Sequence, residues 1–222
     1  MKAIRIIAVV LVGLTAVVNL LGGAGTYCAA FTPDKYDSMK ALIPLQWLYQ
    51  LFVVTVVAAG LAGVWTTVTL ARVQKNSYLA ALIVVAAGLV LALVQMTASR
   101  ALRGKSMPTD MRLYVSILAL LALLILRLPG VWRKAGMDGA SGGTGSWTTP
   151  AGTAAMVMGL AVLTVPTWVG GSHVFDGANW VYAWDWQLML VAAVLLTSGT
   201  GLVLRRYIAP RKAHTTAAIT AR

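Results

Sequence analysis

The 222-residue chain has no glutamate, six aspartates, two histidines and one cysteine, and each shortage removes a chemistry. Cys28 alone excludes an intrachain disulfide and a cysteine-rich metal cluster. With only His173 and His214 available, a zinc or di-iron site lacks ligands. A transmembrane bis-histidine haem needs two imidazoles facing each other inside a bundle. His214 lies in the C-terminal tail and His173 in a connector, which leaves only a single axial contact from His173 to a haem or pigment. The carboxylates Asp34, Asp37, Asp110, Asp138, Asp176 and Asp185 all fall in connectors or at segment ends. No nucleophile–base pair or buried carboxylate pair can be assembled from this inventory. The expectation is a chain without catalysis or cofactor of its own.

Charge is scarce as well. Charged residues make up 11% of the chain and hydrophobic ones 59%, with a mean hydropathy of +0.80. Ordinary soluble domains carry about 25% charged residues. Too few polar groups remain to cover a water-soluble core, whereas lipid solvates apolar faces directly. The reading is an all-α, polytopic membrane protein. Six apolar runs, near 4–23, 43–71, 78–98, 111–129, 151–170 and 185–205, give a bundle of about six transmembrane helices. The first run comes after a basic start, Met1-Lys2-Ala3-Ile4-Arg5, that resembles a leader. Tyr27 before Cys28 fits a lipoprotein cleavage box poorly, so the run is read as a membrane helix. A Gly/Ser-rich connector, 135–149, divides a four-helix unit (1–134) from a two-helix hairpin (150–208). A polar basic tail occupies 209–222.

The net charge of +12 sits in connectors and tail, without the aromatic-interleaved basic surface that binds nucleic acid. Twelve of the eighteen Lys and Arg residues fall on one side if both termini are cytoplasmic, and six on the other. The positive-inside rule therefore places the chain in the cell membrane with both termini in the cytoplasm.

Four of the six exceptions to that rule lie in ASRALRGKSMPTDMRLY, residues 98 to 114. Arg100, Arg103, Lys105 and Arg112 at a membrane surface, beside a helix start, would cradle a lipid phosphate or another anion. The plainer alternative is that they snorkel to headgroups. At membrane depth the polar residues are few: Asn19, Thr55, Thr67, Gln95 and Thr97, with Gln46 and Gln50 one turn apart near the start of the second run. Interhelical hydrogen bonding is their bland reading, and a solute path converging on Gln46, Gln50, Gln95 and Thr97 the sharp one. Cys28 reads as a buried structural thiol.

The stretch GGSHVFDGANWVYAWDWQ, residues 170 to 187, is dense in rings. Trp180, Tyr182, Trp184 and Trp186 alternate before the last run, and Tyr27, Tyr36, Trp47, Tyr49 and Trp168 fall on the same side. Aromatic belts gather at the headgroup level, yet with His173 and Phe175 these rings also suggest a ledge for a partner. Small residues spaced by four, among them Ala59 with Gly63, Ala155 with Gly159, and Ala193 with Thr197 and Gly201, suggest close helix seams.

In architecture alone the four-helix half, residues 1–134, resembles small bacterial DoxX-like membrane proteins. No motif carries that likeness, and it implies no function and no site residue. The residues themselves favour an accessory subunit of a larger membrane complex, with structural, assembly or lipid-organising duties. Its partners would be other integral-membrane subunits and anionic lipids. A transporter or channel for a small or anionic solute is the competing class. A subunit lending a quinone- or pigment-facing wall to a redox complex is the third.

Overall fold

A computed structural model describes residues 2–106, 109–138, 147–169, 174–175, 178–179 and 181–208. The long helices are α1 (Lys2–Gly25), α3 (Gln46–Ala71), α4 (Ser77–Arg103), α5 (Thr109–Arg127) and α9 (Asp185–Ile208), with α7 (Thr148–Leu163) shorter. Between them lie three one- to two-turn helices: α2 (Tyr27–Phe31), α6 (Pro129–Lys134) and α8 (Val165–Val169). Tight 3-10 turns cover Pro33–Lys35, Lys40–Leu45 and Tyr182–Trp184. The extended backbone among the described residues is a two-stranded antiparallel ribbon, β1 (Val174–Phe175) with β2 (Ala178–Asn179). The protein is thus a helical bundle, with the small ribbon outside it.

Five helical stretches are long and apolar enough to cross a membrane: Ala3–Phe31, Lys40–Ala71, Ser77–Arg103, Thr109–Arg127 and Tyr182–Arg205. The expected run over 151–170 is instead two pieces. Helix α7 has 16 residues, about 24 Å at 1.5 Å per residue, which falls short of a hydrocarbon core near 30 Å. The cause lies in the sequence. Pro166 has no N–H for the Val162 carbonyl and its ring crowds that turn. The chain breaks at Thr164, whose hydroxyl turns back to the Leu160 carbonyl at 2.9 Å, and restarts as α8.

Helix α1 is the hub. It packs along α3, α5 and α7 and touches α4. Glycines set the closest approach: a Cβ on Gly60 would lie 2.7 Å from Leu20, and one on Gly63 2.8 Å from the Ala16 Cβ. Such close van der Waals seams are the contacts that hold apolar helices together where lipid leaves no hydrophobic drive between them. Helix α9 leans chiefly on α7. There Gly152 and Gly199 face each other's carbonyls, and Gly159 accommodates Ala192 and Leu196. The seam on α9 therefore runs through Ala192, Leu195, Leu196 and Gly199. It is offset from the expected Ala193, Thr197 and Gly201, which are exposed. Val17, Val162 and Ala192 join this pair to α1. Outward faces are apolar too, with Val54, Leu61, Ile83, Val90 and Val194 exposed, as suits a lipid surround.

The turn between α4 and α5 brings the basic cluster to one end of the bundle. Helix α4 stops at Gly104, whose φ of 69° is the left-handed cap that glycine supplies at least cost. The chain then reverses into α5. Ser106 accepts from the Thr109 amide at 2.8 Å through its carbonyl, and Asp110 sits in the first turn of α5, where a negative charge meets the positive end of the helix dipole.

Candidate anion-binding site

Counting from Thr109 places Arg112 in the first turn of α5, on the stripe that continues through Ser116, Ala119, Leu123 and Leu126 toward the core. Residue type alone puts Arg112 in a surface connector, and the structure corrects that expectation. Its side chain is only 3% exposed, because the helical register turns it inward against α1 and α4. Gly22 makes the room: a Cβ there would lie 2.5 Å from the Arg112 Cδ.

The guanidinium is held by neutral groups. Its Nε donates to Asn19 Oδ1 at 3.1 Å and its Nη1 to Gln95 Oε1 at 2.5 Å. Gln95 Nε2 in turn donates to Thr26 Oγ1 at 3.0 Å, and the Thr26 hydroxyl donates to the Gly22 carbonyl at 2.6 Å. Three helices thus fix one cation. The remaining nitrogen, Nη2, is buried and has no partner among the described residues. Amide oxygens orient the charge but do not neutralise it, and a buried guanidinium costs several kcal/mol until a counter-charge arrives.

Arg112 lines a cavity of about 110 Å³ at the bundle end where α4 turns into α5. Thr26, Tyr49, Gln95, Ser99, Arg103 and Thr109 supply its other polar walls. Tyr49 and Ser99 share a buried hydrogen bond of 2.8 Å between their hydroxyls. Arg103 is half-buried, and its Nε also lacks a partner among the described residues.

The expected basic cluster is therefore split. Arg103 and Arg112 face the cavity. Arg100 is committed elsewhere, with Nε donating to Ser106 Oγ at 2.9 Å and Nη2 to Asp110 Oδ2 at 3.0 Å. The Ser106 hydroxyl closes the triangle onto Asp110. Lys105 is exposed. Among the described residues the other ion pair is Lys40 with Asp37 at 2.7 Å, in the loop before α3, where Lys40 holds the Asp37 carboxyl below its ordinary range.

The polar path expected through Gln46, Gln50, Gln95 and Thr97 is split too. Gln46 and Gln50 both donate to the Ala30 carbonyl, at 3.1 and 3.2 Å, tying α3 to the end of α2. Thr97 is exposed and bonds the Val94 carbonyl of its own helix at 2.9 Å. Only Gln95 of those four reaches the cavity.

Of the ring-rich stretch, Tyr182, Trp184 and Trp186 are exposed. His173, Trp180 and the side chain of Phe175 lie outside the described residues, so a pigment contact through His173 has no geometry to rest on. Tyr27 and Trp47 are also exposed. Tyr49, which the sequence pattern groups with the belt, is an inward residue at 2% exposure. Cys28 is free and half-buried. The sequence pattern gives Tyr49 and Asn19 no part in this site and does not single out Thr26 or Ser99 at all. Asn19 stands out as a lone amide in an apolar helix, but its partner is 93 residues away. No family model, curated protein or solved structure matches the chain.

Proposed function

We propose that the chain is an integral membrane protein that binds a small anionic solute or head group in the cavity at one end of its bundle, as the binding step of a transporter or channel. Six membrane-inserted helices, with α7 as a short member paired to α9, and cytoplasmic termini would set the cavity on the opposite face of the cell membrane. One observation carries the reading: the Arg112 guanidinium is buried, oriented by two amide oxygens and left without a counter-charge among the described residues. A charged side chain buried inside a bundle of apolar helices is expensive and is read by default as a functional site. A bundle serving only as a scaffold would gain by a leucine there.

The test is anion flux in proteoliposomes made from the purified chain. Flux that rises with protein and collapses at least about 10-fold in Arg112→Gln, the loss of roughly 1.4 kcal/mol of binding, supports the reading. Flux equal to empty liposomes removes the transport step, and anion-independent thermal stability of the same protein removes binding as well.

The accessory-subunit reading keeps one specific support, the exposed run of Tyr182, Trp184 and Trp186 ahead of α9, a helix that leans chiefly on α7. Mild-detergent extraction from native membranes tests it. Stoichiometric partner chains lost on Trp184→Ala and Trp186→Ala together would favour an assembly role over an autonomous carrier.

A further inference from the structure

The distribution of donors and apolar walls in the cavity carries the chemistry one step further. Lining residues with spare donor capacity are Arg112 and Arg103, whose Nη2 and Nε have no partner among the described residues, Thr109, and the Tyr49–Ser99 hydroxyl pair, which shares one hydrogen and keeps another to give. Thr26 and Gln95 also line it but are engaged with each other, and apolar side chains, among them Val18, Leu21, Met39, Met111, Val165 and Val169, supply much of the rest. Sulfate or phosphate presents four oxygens around a sphere and needs donors on every side; here half the wall offers none. Oxygens left against valine and methionine would be desolvated without a partner, which costs far more than an apolar contact does.

We infer that the occupant is a carboxylate on an apolar body, its two oxygens toward Arg112 and Arg103 and its body against the apolar walls. The inference rests on the anion-binding reading above and narrows its ligand class. Asn19 takes the single Nε hydrogen of Arg112 and Gln95 one of the two on Nη1, which leaves Nη2 as the nitrogen with no partner among the described residues. The fork that pairs Nε with Nη2 is therefore closed to a ligand. Arg103 is the other cation among the described residues that line the cavity, and the second oxygen is assigned to it. The space of about 110 Å³ is smaller than an engineered cavity of about 150 Å³ that admits benzene, so it holds a head and the first few carbons while a longer body would extend through the opening.

Two sources supply that chemistry, a water-borne aromatic or short acid and a fatty acid from the lipid phase, and the measurement separates them. The full chain in phosphatidylcholine nanodiscs is titrated with benzoate, with oleate and with inorganic phosphate, following the thermal midpoint. A saturable rise with benzoate, with oleate or with both, and none with phosphate, is the expected result; the responding acid identifies the source. Arg103→Gln should weaken the response about 10-fold, equivalent to 1.4 kcal/mol. Because Arg112→Gln could simply unfold, Asn19→Asp is the companion variant: it leaves the guanidinium in place but neutralises it, and should abolish the response in a folded protein. A response to phosphate alone overturns the carboxylate class and leaves the anion reading standing. Indifference to all three overturns both.

Discussion

Arg112 and Asn19, 93 residues apart in sequence, meet through a 3.1 Å bond from guanidinium Nε to amide Oδ1. Gly88 completes the fit, since a Cβ there would lie 3.1 Å from the Asn19 Nδ2. Replacing Asn19 by leucine removes an acceptor from a charged donor and should destabilise the fold by about 1.5–3 kcal/mol. Asn19→Asp should act in the opposite direction, raising the thermal midpoint in detergent by supplying the missing counter-charge. Equal midpoints for the leucine and aspartate variants would show that the amide does not hold the cation.

The α1–α3 seam predicts a contrast between two glycines. A Cβ on Gly63 would stand 2.8 Å from the Ala16 Cβ and 3.1 Å from its Cα, whereas nothing lies within 4 Å of one on Gly201. Gly63→Ala should push the helices apart at a cost of about 1–3 kcal/mol. Gly201→Ala should be neutral or stabilise by up to about 1 kcal/mol through helix propensity. Unfolding in graded denaturing detergent measures both, and similar losses at the two positions would contradict the seam.

Tyr49→Phe strands the Ser99 hydroxyl inside the bundle, because the two hydroxyls are each other's partner at 2.8 Å. The expected loss is about 1–3 kcal/mol. Thr97→Val is the control, its hydroxyl being exposed and bonded only to the Val94 carbonyl of its own turn. If the two substitutions cost the same, Tyr49 is not a buried tie between α3 and α4.

Pro166→Ala restores the N–H that the break at Thr164 lacks. Helices α7 and α8 should then fuse into one rod over 148–169, visible as slowed amide hydrogen exchange at residues 164–168. Val165 and Val169 would swing with the new axis and the cavity would change shape. Unchanged exchange would assign the break to tertiary packing instead of the proline.

Long apolar runs are readable because their length and composition are written in the sequence itself, so five of the six stretches coincide with helices to within a few residues at most ends. The sixth is not, because hydropathy treats Pro166 as one more position among apolar neighbours, while its backbone effect is local and stereochemical. The α9 seam is offset for a related reason. Small residues crowd the whole helix, and only the partner's shape selects Gly199 over Gly201. Arg112 shows the limit at the site. Its cationic type suggests a surface, yet its place is decided by register from Thr109 and by amides on α1 and α4. Stepping the helical stripe forward from the α5 start exposes the conflict. Nothing in local sequence names Asn19 as the partner.

The hub position of α1 has a consequence for how the protein is made. At roughly 5–20 residues per second of synthesis, the 93 residues between Asn19 and Arg112 take about 5–20 s to emerge. Throughout that interval the first helix carries an amide lacking its mate, and α5 must then deliver a cation into a bundle that still lacks α7 and α9. For the membrane-inserted chain proposed above, an insertase that shelters early segments and releases them late would suit better than one releasing each helix as it forms.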